Sequence, residues 1–441
     1  MSIAMRENVL HLTRFISSAE ERTYFTLPFD APENVERMTI SYSYPRRVRY
    51  EQDGMVCERE DNIIDLALRA PGNRYIGASG SDRSTIELSA QGSSQGYAAT
   101  SIDAGTWEII IGAYKMQPEG VTVEYDITFT LKELRRFQGD VHMHTTGSDG
   151  VLSPEELAKL CRWQKLDFAF ITDHNNYAEN DHLPRVPGLT VIPGAEWTHY
   201  MGHSGFLGVR RPYECPFCVN TREEAQALVR EARERGAMIV VNHPFCKPEC
   251  GWKWGFDLAP YDAVEIWNGP LMLDNENTAC LSWWQEQLCQ GKHIPVLGGS
   301  DFHRPGPMSL PGIPCTCVYA LSRSPEDILG ALRSGHAYVK FAPDGPDLSV
   351  DANGSLMGDA VPAGTAVRAV FTALRGGDRL QCITDRGVEE LTAAPGALEA
   401  SMTFEHRGER FVRFHVVRAL ARQLPQMPVL ISNTIYFKEE G

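Results

Sequence analysis

Between residues 140 and 303 the chain carries Gly-Asp140-Val-His142-Met-His144, then Asp149, Thr172-Asp173-His174, Glu196, His203, Asn242-His243-Pro244 and Asp301-Phe302-His303. Imidazoles and carboxylates at this density, without a matching set of thiolates, suit zinc, manganese or iron ions that keep a coordination position open for water or substrate. A structural zinc site would instead close its shell with four protein ligands. His142 and His144, two apart on an extended segment, point to the same side and can grip one ion, while a carboxylate such as Glu196 can bridge two. The pattern predicts a metal-dependent enzyme.

Each of these polar groups follows an apolar strand. Phe168–Thr172 runs into Asp173-His174, Val191–Ala195 into Glu196, Met238–Val241 into Asn242-His243, and Ile294–Gly299 into Asp301 and His303. In a parallel barrel the carboxyl ends of the strands share one face, so residues distant in sequence meet there. Seven of the 13 histidines fall at such places (His142, His144, His174, His199, His203, His243 and His303), whereas His11, His182, His293, His336, His406 and His415 do not. A single such residue is more often a hydrogen-bonded core histidine or a capping carboxylate. Nine in order at strand ends do not fit that account.

The elements that must carry them are legible. Ser153-Pro154-Glu155-Glu156 has the form of a capping box with proline at the first helical position, Thr221-Arg-Glu-Glu224 repeats it, and Ser324-Pro325-Glu326-Asp327 opens a third helix. Gly236 stops the second before the strand that follows. Strands alternating with helices imply parallel pairing, hence an α/β sheet or barrel covered by helices. On either side the pattern is short β runs between Gly, Pro, Asp and Ser turns. The expected organisation is an N-terminal β-sandwich at 1–136, an α/β barrel at 137–341 and a smaller C-terminal β-sandwich at 342–441.

Composition narrows the function. With 42 Lys+Arg against 57 Asp+Glu the net charge is −15, which disfavours nucleic acid and anionic membrane surfaces and favours a small-molecule substrate. No apolar run reaches membrane-span length and the first 25 residues lack the core of a secretory signal, so a soluble cytoplasmic protein is expected. Eleven scattered cysteines do not suggest a disulfide framework. Cys215, Cys218, Cys246 and Cys250 could hold a structural zinc or form a reducible pair, or simply pack; Cys315 and Cys317 share one strand face and read as packing. No Gly-x-Ser-x-Gly elbow or P-loop occurs.

The strings Gly-Asp140-Val-His142-Met-His144-Thr-Thr-Gly-Ser-Asp149-Gly, Ile-Thr-Asp173-His174-Asn, Pro-Gly-Ala-Glu196, Gly-His203-Ser-Gly-Phe-Leu-Gly, Asn242-His243-Pro-Phe, Glu265-Ile-Trp-Asn268-Gly and Gly-Ser-Asp301-Phe-His303 resemble, in order, the motifs of the PHP (polymerase and histidinol phosphatase) superfamily, and among its branches the CehA/McbA type. The resemblance covers residues 137–341 and implies a distorted (β/α)7 barrel with two or three divalent ions (Mn, Zn or Fe). Carried over by residue, it assigns His142, His144, Asp149, His174, Glu196, His203, His243, Asp301 and His303 to the metal shell. Asp140 and Asp173 then read as acceptors that fix the imidazoles of neighbouring ligands. Ile431–Tyr436 resembles the β tail that follows the barrel in longer members.

The activity so implied is a phosphoesterase in which a metal-bound hydroxide cleaves a small phosphate mono- or diester, with water or an acid near Asp301 or His243 protonating the leaving group. His199 is either a proton donor and substrate contact or a rim residue. Asn268, Arg304 and Lys247 are placed to meet substrate, the last two equally well read as solvated loop charges. Glu265 and Trp267 serve packing and orientation, and Trp252 and Trp254 could wall the pocket. Two alternatives stay open: hydrolysis of a carbamate or aryl ester, as in carbaryl hydrolases, and a non-catalytic metal- or carbohydrate-binding protein. The flanking domains shape the cleft or support a homo-oligomer.

Overall fold

The computed structural model describes residues 6–214, 218–247, 250–421 and 425–438. The chain divides between Leu134 and Arg135 into two compact units. Among its described residues the first holds ten strands: β1 (Glu7–Ile16), β2 (Tyr24–Ala31), β3 (Val35–Ser43), β4 (Arg47–Gln52), β5 (Met55–Glu60), β6 (Ile63–Ala70), β7 (Arg74–Ser79), β8 (Thr85–Ser89), β9 (Gly105–Lys115) and β10 (Val121–Leu131). They form antiparallel sheets β1-β10-β3-β8 and β2-β9-β6-β7, with β4-β5 as a separate hairpin. In β10, buried Val121, Val123, Tyr125 and Ile127 alternate with exposed Thr122, Glu124 and Asp126, the period of two that a half-buried strand imposes. Their inward faces meet Trp107, Ile109 and Ile111 of β9 in one core, the packing of a sandwich.

The second unit begins with β11 (Arg135–Asp140), α1 (Pro154–Trp163), β12 (Phe168–Ile171), β13 (Thr190–His199), β14 (Gly202–Leu207), α2 (Arg222–Glu234), β15 (Met238–Val241), β16 (Ala263–Asn268), α3 (Asn277–Cys289) and β17 (Val296–Gly299). It continues with β18 (Cys315–Ala320), α4 (Pro325–Ser334) and β19 (Ala337–Lys340). One sheet runs β17-β16-β15-β14-β13-β12-β11-β18-β19. β11-β12-β13 and β15-β16-β17 are parallel; β14 is antiparallel to both its neighbours and β18 to β11. The sheet curls back on itself at the strand ends. Asp301 N donates to His142 O (2.9 Å) and His144 N to Phe302 O (2.9 Å), and Met143 bridges Phe302 in parallel. Lower down, the Thr316 hydroxyl accepts from Gly298 N (3.0 Å) and donates to Gly298 O (2.6 Å), standing in for a ladder between β17 and β18. The segments after β11 and β17, first and last in sequence, thereby lie side by side.

All three capped helix starts are where the residues put them: Ser153 and Thr221 complete capping boxes and Ser324 accepts from Asp327 N. The regular strand and helix repeat is only partly realised. Among the described residues α1 and α3 span parallel crossovers, but β12 reaches β13 through the short turn Ala178–Asp181, and β15 reaches β16 through a loop. Asn, Pro and Gly interrupt those connections, leaving no amphipathic run long enough for a helix.

The remaining strands are β20 (Asp347–Asp351), β21 (Ala360–Val361), β22 (Val367–Thr372), β23 (Arg379–Ile383), β24 (Val388–Thr392), β25 (Glu399–Phe404), β26 (Phe411–Ala419), β27 (Gln426–Ser432) and β28 (Ile435–Phe437). They do not stand apart as the expected domain at 342–441. β27 pairs with β19, Tyr338 opposite Ser432, so β27, β26, β23 and β24 extend the central sheet. The layer β20-β22-β25 packs on it through a core in which Met143, Leu157 and Cys161 join Val367, Phe371 and Phe414. An edge strand as apolar as β19 is best covered by another strand. Cys315 and Cys317 are fully buried in the same core.

Candidate metal centre

β11 and the residues after it deliver His142 and His144 side by side, ring centroids 5.1 Å apart. β12 leads to His174, β13 to Glu196, β14 supplies His203, β15 leads to His243, and the segment after β17 carries Asp301 and His303. Glu196 is fully buried, and His142, His144 and His243 nearly so. Asp149, His174, His303 and Asp301 keep part of their side chains in solvent and mark the open side.

The carboxylates are hubs. Glu196 Oε1 lies 3.2 Å from His142 Nε2 and 3.3 Å from both His203 Nδ1 and His243 Nε2. Its Oε2 lies 2.7 Å from His174 Nδ1 and 3.7 Å from His144 Nε2. Asp301 Oδ1 is 3.0 Å from His144 Nε2 and 3.4 Å from His142 Nε2, and Asp149 Oδ1 is 3.2 Å from His303 Nε2 and 3.6 Å from His174 Nε2. Ligands about 2.1 Å from a shared ion stand about 3.0 Å apart at octahedral corners and about 3.4 Å apart at tetrahedral ones. Four groups of nitrogen and oxygen donors each bring one atom per residue within 4.8 Å of the others: His144, Asp149, His174 and His303; His142, His243 and Asp301; His142, His144 and Glu196; and His174, Glu196 and His203. They share members, so ions held by them would be neighbours.

Unsatisfied atoms provide the test of fit. His142 Nε2, His144 Nδ1 and Nε2, His203 Nδ1, His243 Nδ1 and Asp301 Oδ1 are buried without a hydrogen-bond partner. Each such atom costs about 1–3 kcal/mol, so their concentration here requires a compensating ligand. Divalent ions suit the nitrogen and oxygen donors present.

The field tells the same story. Burial opposes charge on His142, yet Asp301, Glu196 and Glu265 push its pKa well above the usual imidazole value. Burial likewise disfavours the Glu196 and Asp301 anions, but His142 and its fellow histidines drive both far below the normal carboxylate range. Burial lowers His144, while His174 and His243 rise because Glu196 outweighs their desolvation. The pocket demands positive charge, which protons or metal ions can supply in exchange for one another.

Of the residues expected to orient the rings, Glu265 meets an imidazole, whereas Asp140 and Asp173 do not. Asp140 accepts from His142 N (3.2 Å), Ser300 N (3.1 Å), Gly312 N (2.7 Å) and the Ser300 hydroxyl. Asp173 accepts from Thr145 N, the Thr145 hydroxyl and the Ser148 hydroxyl, each at 2.7 Å. Both therefore brace loops and leave the imidazoles alone. Glu265 holds His142 Nδ1 at 3.0 Å and accepts from His243 N (2.9 Å). The Thr198 hydroxyl meets His174 Nδ1 at 2.6 Å, Asp301 O meets His303 Nδ1 at 2.7 Å, and Asn242 Nδ2 donates to Glu196 Oε1 at 2.8 Å. Sequence reasoning missed Thr198 and Asn242. The signal for Thr198 was present, since it lies two residues from Glu196 and so on the same strand face.

That alternation turns His199 away. Its Nε2 bonds Val219 O (3.0 Å), its Nδ1 accepts from Met201 N (3.1 Å), and its ring packs 5.1 Å from Trp254. With both nitrogens occupied outside the cluster, His199 is neither a proton donor nor a ligand. Asn268 is buried, donating to Glu265 (3.1 Å) and Asp301 (3.3 Å) while accepting from Asn275 (2.6 Å), so it steadies carboxylates rather than waiting for substrate. Lys247 is exposed with Glu276 at 3.7 Å, and Arg304 is exposed beside His303. Trp254 is buried against Trp197, and the half-buried Trp252 donates from Nε1 to Gly255 O. Of the four cysteines considered for a structural zinc, Cys215 lies outside the described residues, Cys218 is free and exposed, and Cys246 and Cys250 form a disulfide. Among the described residues no helix is long and apolar enough to cross a membrane.

No family model matches the chain. It is 39% identical over 78 residues, 18% of this chain, to the DNA polymerase/3'-5' exonuclease PolX of Bacillus subtilis, and the match spans 13% of that enzyme's length. Among solved structures it is similar to a two-domain protein from Bacteroides vulgatus described as containing a PHP-like metal-dependent phosphoesterase, at TM-score 0.40 and 17% identity over 67% of this chain and 95% of that one. A protein from Bifidobacterium adolescentis described as a metal-dependent phosphoesterase aligns at TM-score 0.30 and 16% identity, covering 39% of this chain and 90% of that one.

Proposed function

We propose that the chain is a metal-dependent hydrolase of PHP type whose preferred substrate is a small phosphate mono- or diester. The observation that supports this reading most is the convergence of six imidazoles and three carboxylates, from six separate segments, in groups whose donor atoms lie within 4.8 Å of one another, several of them buried without a hydrogen-bond partner. His142, His144, Asp149, His174, Glu196, His203, His243, Asp301 and His303 would hold two or three ions, with Glu196 shared between groups. Bound divalent ions supply Lewis acidity, lowering the pKa of water from 15.7 to about 7 and neutralising charge that develops on the ester. Glu265 at His142 Nδ1 leaves Nε2 of that ring facing Glu196 and Asp301, while the Thr198 hydroxyl and Glu196 Oε2 both meet His174 Nδ1 and leave its Nε2 toward Asp149. Asp301, held ionised by His142 and His144, acts as an acceptor and leaves protonation of the departing group to water at the open side.

A second reading, hydrolysis of a carbamate or aryl ester, is favoured by the loops that leave the strand ends. They expose Tyr200, Leu273 and Met308. Apolar groups suit an aromatic leaving group better than a doubly charged phosphate. Metal analysis followed by assay with p-nitrophenyl phosphate, bis-p-nitrophenyl phosphate and an aryl carbamate separates the readings. Full turnover of every ester after complete metal removal would defeat both.

A further inference from the structure

His243 belongs to two groups of potential ligands. One contains His142 and Asp301; the other contains Cys246 and Cys250, with a nitrogen of His243 and the two sulfurs all within 4.8 Å of one another. Its Nε2 faces Glu196, while its Nδ1 is buried without a hydrogen-bond partner although only 4% of the residue is exposed. The described residues on either side of the pair hold the two cysteines close. Cys246 N donates to His243 O (3.0 Å), Trp252 N donates to Pro244 O (2.8 Å), and a Cβ at Gly251 would sit 2.4 Å from Cys246 O, so that glycine permits the close fold. Cys246 and Cys250 are half-buried with Cα atoms 5.7 Å apart and are bonded as a disulfide.

We infer that the reduced Cys246–Cys250 pair, together with His243, is a soft-metal site for a zinc-class divalent ion, and that formation of the disulfide releases that ion. Two thiolates and one imidazole are a set zinc accepts, with water completing the tetrahedron. This donor set differs from the nitrogen and oxygen centre, and His243 would be the one ring common to both.

Release needs an oxidant, and a small-molecule disulfide such as oxidised glutathione suffices. One protein thiolate attacks its S–S bond, forming a mixed disulfide and expelling one glutathione thiolate. The other protein thiolate attacks the protein sulfur of that mixed bond and expels the second. Two electrons pass from the cysteine pair to glutathione, and the ion leaves with no thiolate to hold it. Excess dithiol reverses the exchange.

Cobalt(II) tests this, because thiolate ligation adds an intense near-ultraviolet charge-transfer band that histidine and carboxylate ligation does not. The full chain is reduced with dithiothreitol, its free thiols are counted, the reductant is removed anaerobically and cobalt(II) is titrated in. The band is expected in the reduced protein, absent in Cys246→Ser and in Cys250→Ser, and abolished in the wild type by oxidised glutathione, which should also free one equivalent of zinc from zinc-loaded protein. A reduced wild type with both thiols verified and no such band would overturn the inference, as would a band that survives both substitutions. Failure of the hydrolase reading would show instead as absent ester turnover with the thiolate band intact.

Discussion

Replacing Glu196 by glutamine keeps the side-chain volume and removes one charge from the middle of five imidazoles. The nearest separations are 2.7 to 3.7 Å. At 3.3 Å, the distance to His203 and His243, a pair of unit charges is worth about 5 kcal/mol in an effective dielectric of about 20. A dication would feel the missing carboxylate more strongly still. Relaxation and the remaining ligands reduce the loss, and removal of one partner from a buried charge pair costs about 3–5 kcal/mol in practice. That corresponds to a drop of roughly 100- to 5,000-fold in affinity for the ion affected, at about 1.4 kcal/mol per factor of ten. The assay equilibrates wild type and Glu196→Gln against a chelator of known affinity and measures bound metal by mass spectrometry. The variant should lose at least one ion at chelator concentrations that the wild type withstands, with ester turnover falling in parallel. Equal metal content throughout the titration would refute the assignment of Glu196 as a shared ligand.

Glu265→Gln should weaken metal binding by about 10–100-fold, the usual effect of losing an outer carboxylate that orients a ligating histidine; unchanged affinity would mean that the contact to His142 Nδ1 does not position the ring. His199→Ala should keep its full metal complement and melt at a lower temperature, because it loses packing on Trp254 and bonds to the β13–β14 turn, and metal loss in that variant would contradict the placement of the ring. In the N-terminal unit, hydrogen bonds from Arg59 and then Lys115 lower Asp61 from 3.8 to about 2. The folded value lies below the unfolded one, so this contribution to stability is complete above pH 3.8 and disappears as pH falls through about 2. Asp61→Asn should lose less stability than the wild type across that window, measured by denaturant midpoints at successive pH values; an unaltered acid dependence would remove Asp61 from the account.

The convergence of these side chains was legible because a parallel strand buried on both faces admits polar groups only where it ends. His174, Glu196, His243 and Asp301 lie in or just beyond such a strand and His142 with His144 follows the same logic, whereas His203 opens the antiparallel β14. The period of two was equally readable, and applied to Glu196 it selects Thr198 and rejects His199. Other features follow from pairings that a sequence does not encode. Asp140 and Asp173 each sit two residues or one from a histidine, yet their acceptors are spent on Ser300, Gly312, Thr145 and Ser148, which the curl of the sheet brings near. β27 reads as a strand, but nothing in its residues says that its partner is β19. The same ambiguity made 342–441 look like a separate domain.

The curl also explains two backbone features at the centre. His243 and Asp301 both have positive φ, 26° and 52°, each just past the end of a strand whose continuation would carry its side chain away from the others. A left-handed corner re-aims the side chain, and Asp and His tolerate that region better than most residues while still costing energy there. Glu265 accepts from His243 N, and Asp301 N donates to His142 O. The corners are thus held by hydrogen bonds to residues of the cluster itself. Geometry at one candidate ligand is in this way tied to geometry at the next.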